Sequence, residues 1–454
     1  MAHFSPYAGD TKFYEELARN WLDHGVYGLF VHGQLLPVDM RMPGYPAFLA
    51  AIYAVFGRAN RTILIVQAVV DLATCVLASQ IAARLAPASK RKLVGTIALW
   101  LAALCPFTAS YSGIVLTEVL ATFLTTLGLL VFVVVLSEPA MDSPLRSLDR
   151  KSLLSGVGWF LFGGAIVGVG TLVRPEAPLI VAAVGLVLVA RWRRRTEWSK
   201  LALAVLWMAV GVLLALTPWA ARNARTMGRI EFLAPRYAET QGDFIPRGFY
   251  EWTRTWMVQF GDVYLVPWKL DKAPIRVETL PGSAFDSAEE RARVEALLNR
   301  YNSKLDMTPL LDREFALLAH DRTARRPLRT YFFIPISRAL MMWFTPRIEL
   351  LPYSGKLWPA GEKWRSNPTD FGVTLGYGIL NFIYLALAIA GVWRCRRHPA
   401  LALLICFVVV RTAALTQLQT VEPRYVVVCY PVILALGALA WGRLAQPVTG
   451  KTPE

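Results

Sequence analysis

Carboxylates and arginines recur in short, ordered motifs along this 454-residue chain. Asp10 stands in Gly9-Asp10-Thr11-Lys12-Phe13-Tyr14, and Arg41 opens Arg41-Met42-Pro43-Gly44-Tyr45-Pro46-Ala47-Phe48-Leu49. Glu118 follows the short loop Tyr111-Ser112-Gly113, and Arg174-Pro175-Glu176 forms a tight polar break between apolar runs. Thr217-Pro218-Trp219 leads to Arg222-Asn223, and Glu422-Pro423-Arg424-Tyr425 precedes the last apolar stretch. Arginine offers planar, bidentate and permanently charged recognition of phosphate, and it stabilises charge developing on a leaving phosphate. A nearby carboxylate accepts the proton of an attacking hydroxyl, typically for about two to four powers of ten in rate. Together these groups suit transfer of a group from a lipid phosphate.

Other roles compete at each position. Asp10 could cap a helix, Glu118 could cap its span or pair with an arginine, and Arg174 with Glu176 could fasten two helices. Arg222 and Arg424 could be interfacial anchors, and Tyr14, Tyr45 and Tyr425 suit an interfacial aromatic belt.

What must position these groups is a membrane. Hydrophobic residues make up 55% of the chain, more than a soluble domain of this size carries. A spanning helix needs about 20 mostly apolar residues. Nine stretches qualify: 61–85, 93–111, 115–137, 154–172, 177–190, 201–219, 372–393, 399–416 and 425–444. Asp71 and Arg411, isolated inside such stretches, should face the bundle interior.

The formal charge is +16, yet its basic residues gather between apolar stretches instead of on one soluble face, which argues against nucleic-acid binding. Four groups stand out: Arg84 with Lys90, Arg91 and Lys92; Arg146 with Arg150 and Lys151; Arg191 with Arg193, Arg194, Arg195 and Lys200; and Arg394 with Arg396 and Arg397. Placed in the cytoplasm, they put residues 1–60, 111–114, 173–176, 220–371 and 417–424 outside. Every motif above then falls on or beside one outer face.

The expected architecture is an all-α polytopic membrane protein. It has a first outer loop, 1–60, a six-helix region, 61–221, an extracytoplasmic region, 222–371, a three-helix region, 372–445, and a cytoplasmic tail, 446–454. In the first loop, Phe13, Leu17 and Trp21 recur at helical spacing, and a second helix should follow Pro43 to Pro46, running through Phe48, Ile52, Tyr53 and Phe56 to a stop at Gly57. Both read as amphipathic helices on the membrane surface. A further helix is expected from Ser287 to Lys304, and parity makes Tyr331 to Thr345 interfacial or re-entrant. Because a polar amino-terminal stretch does not cross a membrane easily unaided, one more helix is expected upstream of Met1. The five cysteines, Cys75, Cys105, Cys395, Cys406 and Cys429, show neither metal spacing nor a disulfide framework.

In order, Gly-Asp-x-x-x-Tyr, Arg-x-Pro-Gly-Tyr-Pro-x-Phe-Leu, Arg-Pro-Glu, Pro-Trp-x-x-Arg-Asn and Glu-Pro-Arg-Tyr resemble the bacterial family 39 membrane glycosyltransferases. These are similar to dolichyl-phosphate-mannose protein mannosyltransferases and aminoarabinose transferases, all of the GT-C fold class. The resemblance runs from about residue 9 to residue 445 and is poor over 230–370. It implies a GT-C-like helix bundle and inverting transfer of one sugar from a polyprenyl-phosphate donor to an envelope glycolipid, glycan or protein. Asp10 occupies the position of the catalytic base or acceptor-orienting carboxylate, and Glu118 is a second catalytic candidate. Arg41, Tyr45, Arg174, Glu176, Arg222, Asn223, Arg424 and Tyr425 are candidates for binding donor phosphate or substrate. Many relatives carry two adjacent acids where this chain has Asp10-Thr11, so metal use stays open: a divalent cation usually takes more than one carboxylate. The resemblance implies no other cofactor, and it places the chain in the cytoplasmic membrane with its site facing the periplasm or exterior. The rival reading is a polytopic lipid or glycan transporter, for which inverted repeats and midplane ionisable groups would be expected.

Overall fold

The computed structural model of the chain describes residues 9–137, 150–192, 197–235, 244–396, 398–418 and 420–442. Arg146, Arg193, Arg194, Arg195, Arg397 and the tail 446–454 lie outside the described residues, as do the side chains of Arg150 and Lys151. The chain divides into two compact units, one formed by 1–238, 379–410 and 427–454, the other by 239–378 and 411–426.

The first unit begins with α1 (Thr11–His24), stopped where Gly25 turns left-handed at φ 68°. A hairpin of β1 (Gly28–Val31) and β2 (Gln34–Pro37) follows, in antiparallel register with Leu29 opposite Leu36. Its two-residue turn has φ 50° at His32 and 80° at Gly33, the pair of positive values a type I′ turn requires. Next comes α2 (Gly44–Phe56), ending at Gly57. The bundle then runs through α3 (Asn60–Leu85), α4 (Arg91–Ala103), α5 (Pro106–Ser112), α6 (Glu118–Ser137), α7 (Arg150–Val173), α8 (Leu179–Arg191) and α9 (Trp198–Met227).

Small residues let two of these helices approach closely. A Cβ on Gly164 would lie 2.2 Å from the Met208 carbonyl oxygen, and one on Gly211 would lie 2.2 Å from that of Leu161. Helix α7 therefore meets α9 backbone to backbone, the packing that serves where lipid removes the hydrophobic drive.

The second unit holds α10 (Arg247–Arg254), α11 (Phe260–Leu265), α12 (Ala288–Lys304), α13 (Pro309–Arg325), α14 (Ile334–Phe344) and α15 (Ala360–Ser366). Its core is aromatic: Phe249, Trp252, Tyr301 and Phe315 are fully buried. The expected helix after Ser287 forms, with the Ser287 hydroxyl accepting from the Glu290 backbone N–H at 3.2 Å. At its start, Glu290 and the preceding Asp286 meet the buried Arg322 of α13. The apolar stretch near 331–345 opens with a π-turn over Arg329–Phe333, and α14 follows, with Pro335 in its first turn. Arg338 on that helix is buried and donates to the carbonyls of Met257 (2.8 Å), Thr416 (2.9 Å) and Leu418 (3.1 Å).

Two further helices, α16 (Pro368–Arg394) and α17 (Leu401–Leu415), precede a 3-10 segment at Pro423–Cys429 and α18 (Tyr430–Ala438). Six helical stretches among the described residues are long and apolar enough to cross a membrane: Asn60–Leu85, Glu118–Ser137, Gly156–Val173, Trp198–Met227, Pro368–Arg394 and Pro423–Trp441. The chain is a multi-pass membrane protein. The other three expected crossings take different forms: residues 93–111 fall in a pair bent by 55° around Pro106, while α8 and α17 are shorter apolar helices.

Candidate active site

Asp10 stands at the start of α1 but does not cap it: its backbone is helical and its side chain makes no capping bond. The carboxylate instead pairs with Arg41, which lies 31 residues on, with Nη2 to Oδ1 at 3.0 Å. Thr11 buries its hydroxyl and donates to the Val115 carbonyl at 2.9 Å, tying the start of α1 to the loop that delivers Glu118. At the first turn of α6, Glu118 is buried and accepts from Arg174 Nη1 at 3.1 Å. The Arg174 Nε in turn faces Glu176 at 3.5 Å. Gly44 makes this convergence possible, since a Cβ there would meet the Leu172 carbonyl at 2.7 Å. That contact seats the start of α2 against the end of α7, directly before Arg174.

Tyr14, one turn into α1, shares the electrostatic surroundings of both ion pairs. Burial and Asp10 push its hydroxyl up to about 12, Arg41 and Arg174 oppose the rise, and Glu118 adds to it. The phenol therefore stays a hydrogen-bond donor at physiological pH. Its ring packs edge-on against Tyr45, with centroids 5.2 Å apart. The Tyr45 hydroxyl donates to Gln67 Oε1 at 2.7 Å, and Gln67 Nε2 donates to the carbonyls of Ile114 (2.9 Å) and Ser112 (3.2 Å). Gln67 was missed in the sequence, where a single amide inside an apolar helix carries no pattern. The available signal was its cost: a buried amide in a spanning helix needs partners that fix something.

Asp10, Arg41, Glu118, Arg174, Glu176 and Tyr45 are thus brought to one neighbourhood. Arg222 and Asn223 serve the hairpin. Arg222 donates to the carbonyls of Val38 (2.8 Å) and Tyr27 (2.6 Å) and to Asn223 Oδ1 (2.9 Å). Its guanidinium lies over the rings of Trp219 and Tyr27, at 5.1 and 5.4 Å. Asn223, fully buried, donates to the Glu231 carbonyl at 3.0 Å. A cavity of about 320 Å³ opens beside them, lined by Trp21, Tyr27, Pro43, Gly44, Trp219 and Arg222 among others.

Arg424 and Tyr425 belong to the second unit. There the buried Glu422 accepts from the Tyr425 hydroxyl at 2.9 Å and pairs with Arg424. Among the described residues, no group of three or more His, Cys, Asp or Glu side chains could hold a metal ion.

No protein-family profile and no curated protein matches the chain. The fold resembles solved oligosaccharyltransferase and ArnT structures. The Archaeoglobus fulgidus oligosaccharyltransferase AglB, solved with an inhibitory peptide and a dolichol-phosphate, aligns over 95% of this chain at 14% identity and a TM-score of 0.47. This chain spans only 46% of the length of that protein. ArnT from Cupriavidus metallidurans, bound to undecaprenyl phosphate, aligns over 96% of this chain and 73% of its own, at 15% identity and a TM-score of 0.36.

Proposed function

We propose that this protein is a membrane glycosyltransferase that moves one sugar from a polyprenyl-phosphate donor to an acceptor hydroxyl, with inversion at the anomeric carbon. The acceptor is a lipopolysaccharide, another glycan or a protein, met at the outer face of the cytoplasmic membrane. The observation that carries the reading is the Asp10 carboxylate, which leaves its own helix uncapped and lies against Arg41. Glu118 and Arg174 share its surroundings around Tyr14. A carboxylate at a helix start commonly caps it; this one faces an arginine from the next loop instead.

In the reaction, Asp10 takes the acceptor hydroxyl's proton as the acceptor oxygen bonds to the anomeric carbon. The bond from that carbon to the phosphate oxygen breaks, and its electron pair leaves on the lipid phosphate. Arg41 and Arg174 stabilise the charge that gathers there. Tyr14, protonated throughout, supplies a hydrogen bond to the same oxygens. Glu118 holds Arg174 in place, and Glu176 bounds its other edge.

The test uses the purified full chain in liposomes with a panel of polyprenyl-phosphate sugars and envelope glycolipid extracts. Transfer is followed by mass spectrometry, and the new linkage by NMR. One fixed mass added, with the anomeric configuration opposite to that of the donor, is expected. Retained configuration, or no transfer from any polyprenyl-phosphate sugar, would overturn the reading.

A further inference from the structure

Arg41 lies in neither β2 nor α2 but in the strap between them, residues 38–43. Groups from elsewhere in the first unit pin this strap along its length. Arg229 holds the buried Asp39 carboxylate at 2.9 Å, and the Ala234 backbone N–H donates to Met42 Sδ at 3.1 Å. Between those two points the Tyr27 hydroxyl donates to the Arg41 carbonyl at 2.9 Å, with the Met42 carbonyl further off at 3.4 Å. The acceptor is fourteen residues away, beyond the hairpin's own ladder.

Tyr27 is itself held on every side. Its buried ring packs edge-on against Trp21 and Trp219, with centroids 5.3 and 5.2 Å apart, beneath the Arg222 guanidinium. Its carbonyl accepts from Arg222 at 2.6 Å and from the Val38 N–H at 3.1 Å. The carbonyl of the next residue, Gly28, accepts from the buried Asn20 amide of α1 at 2.8 Å. The ring is therefore fixed to α1 and α9 together. Burial raises the hydroxyl far above its usual value, so it remains a donor at physiological pH.

We infer that Tyr27 is a positioning residue for Arg41: its hydroxyl fixes the peptide that follows Arg41, so that the guanidinium stands beside Asp10 where a donor phosphate would meet it. Holding that carbonyl sets the direction in which the arginine leaves the strap. Its fork then folds back, Nη1 donating to the Met40 carbonyl at 3.1 Å, Nη2 meeting Asp10 at 3.0 Å, and the guanidinium 5.9 Å from the centre of the Phe13 ring. An arginine loses rotamer freedom when it grips a phosphate, and one already held at backbone and fork loses less. The inference rests on the reading that Arg41 receives the donor phosphate.

A double-mutant cycle in nanodiscs tests it, with wild type, Tyr27→Phe, Arg41→Ala and the double variant. Phenylalanine keeps the ring stack and removes only the hydroxyl. The first readout is affinity for a polyprenyl phosphate, which needs neither sugar nor acceptor. Tyr27→Phe should weaken it about fivefold in the wild-type background and by less than about twofold once Arg41 is gone. Amide hydrogen exchange over residues 38–42 should quicken in Tyr27→Phe. In transfer, the donor KM should rise with the acceptor KM unchanged, whereas a general folding defect moves both. Unchanged affinity in Tyr27→Phe, the same factor lost in both backgrounds, or a variant that does not fold would each make the hydroxyl purely structural and overturn the assignment. An Arg41→Ala protein that binds as wild type does would remove the phosphate from Arg41 and the role of Tyr27 with it. The expected cycle in a wild-type protein that transfers no sugar would leave Tyr27 in place and remove the transferase reading.

Discussion

Replacing Asp10 with Asn separates a catalytic carboxylate from one that merely stabilises the fold. The substitution keeps the shape of the side chain and removes the charge facing Arg41. That ion pair is part-exposed, the Asp10 side chain at 31% and the Arg41 side chain at 22%, so solvent screens it. Pairs of this kind contribute about 0–1 kcal/mol to stability. Asp10 makes no capping bond to α1, so no helix cap is lost with it. Removing a general base, by contrast, costs about two to four powers of ten in rate, or roughly 3–5 kcal/mol of barrier. The two effects therefore differ severalfold in free energy. Thermal unfolding of the detergent-solubilised protein reads the first, and transfer at saturating donor and acceptor reads the second. The expected result is a nearly unchanged melting temperature with a rate lowered at least about a hundredfold. A variant that keeps a tenth or more of wild-type turnover removes Asp10 from the base role. Equal losses in melting and turnover would make the pair with Arg41 structural.

Glu118→Gln should behave in the opposite way, because its side chain is 2% exposed and Arg174 would be left with a weakened partner at 12%. The unfolding free energy should fall by about 3–5 kcal/mol, moderated by Glu176, and denaturant titration would show it. Gln67→Leu deletes the link from Tyr45 to the carbonyls of Ser112 and Ile114, leaving buried groups that cost about 1–3 kcal/mol each. Turnover should fall more than donor KM rises, since the loop before Glu118 loosens while the arginines remain; an unchanged kcat would show that Gln67 positions nothing. Gly44→Ala forces a Cβ towards the Leu172 carbonyl at 2.7 Å, so α2 must move from the end of α7. A loss of about 1–3 kcal/mol is expected, and full stability with full activity would contradict the close approach.

The helices flanking the site were legible because their signals are local. Apolar spacing in α1 and α2 is closed by Gly25 and Gly57, and Ser287 with Glu290 marks the start of α12. The hairpin was not anticipated, although His32-Gly33 between Gly28–Val31 and Gln34–Pro37 carries a turn signature. Four-residue strands are too short for alternation to outweigh the helical signals on either side. The pairing of the site's charges was hidden for a different reason. Residue type makes Arg41, Arg174 and Arg222 equal candidates for phosphate, but what each guanidinium can still offer depends on acceptors supplied by distant chain. Arg222 spends its donors on carbonyls nearly two hundred residues away, which makes it a fastener for the hairpin first. Arg41 donates to the neighbouring Met40 carbonyl and to the Asp10 carboxylate, and Arg174 faces the carboxylates of Glu118 and Glu176. Sequence therefore locates the charges, and tertiary hydrogen bonding decides which partners each of them meets.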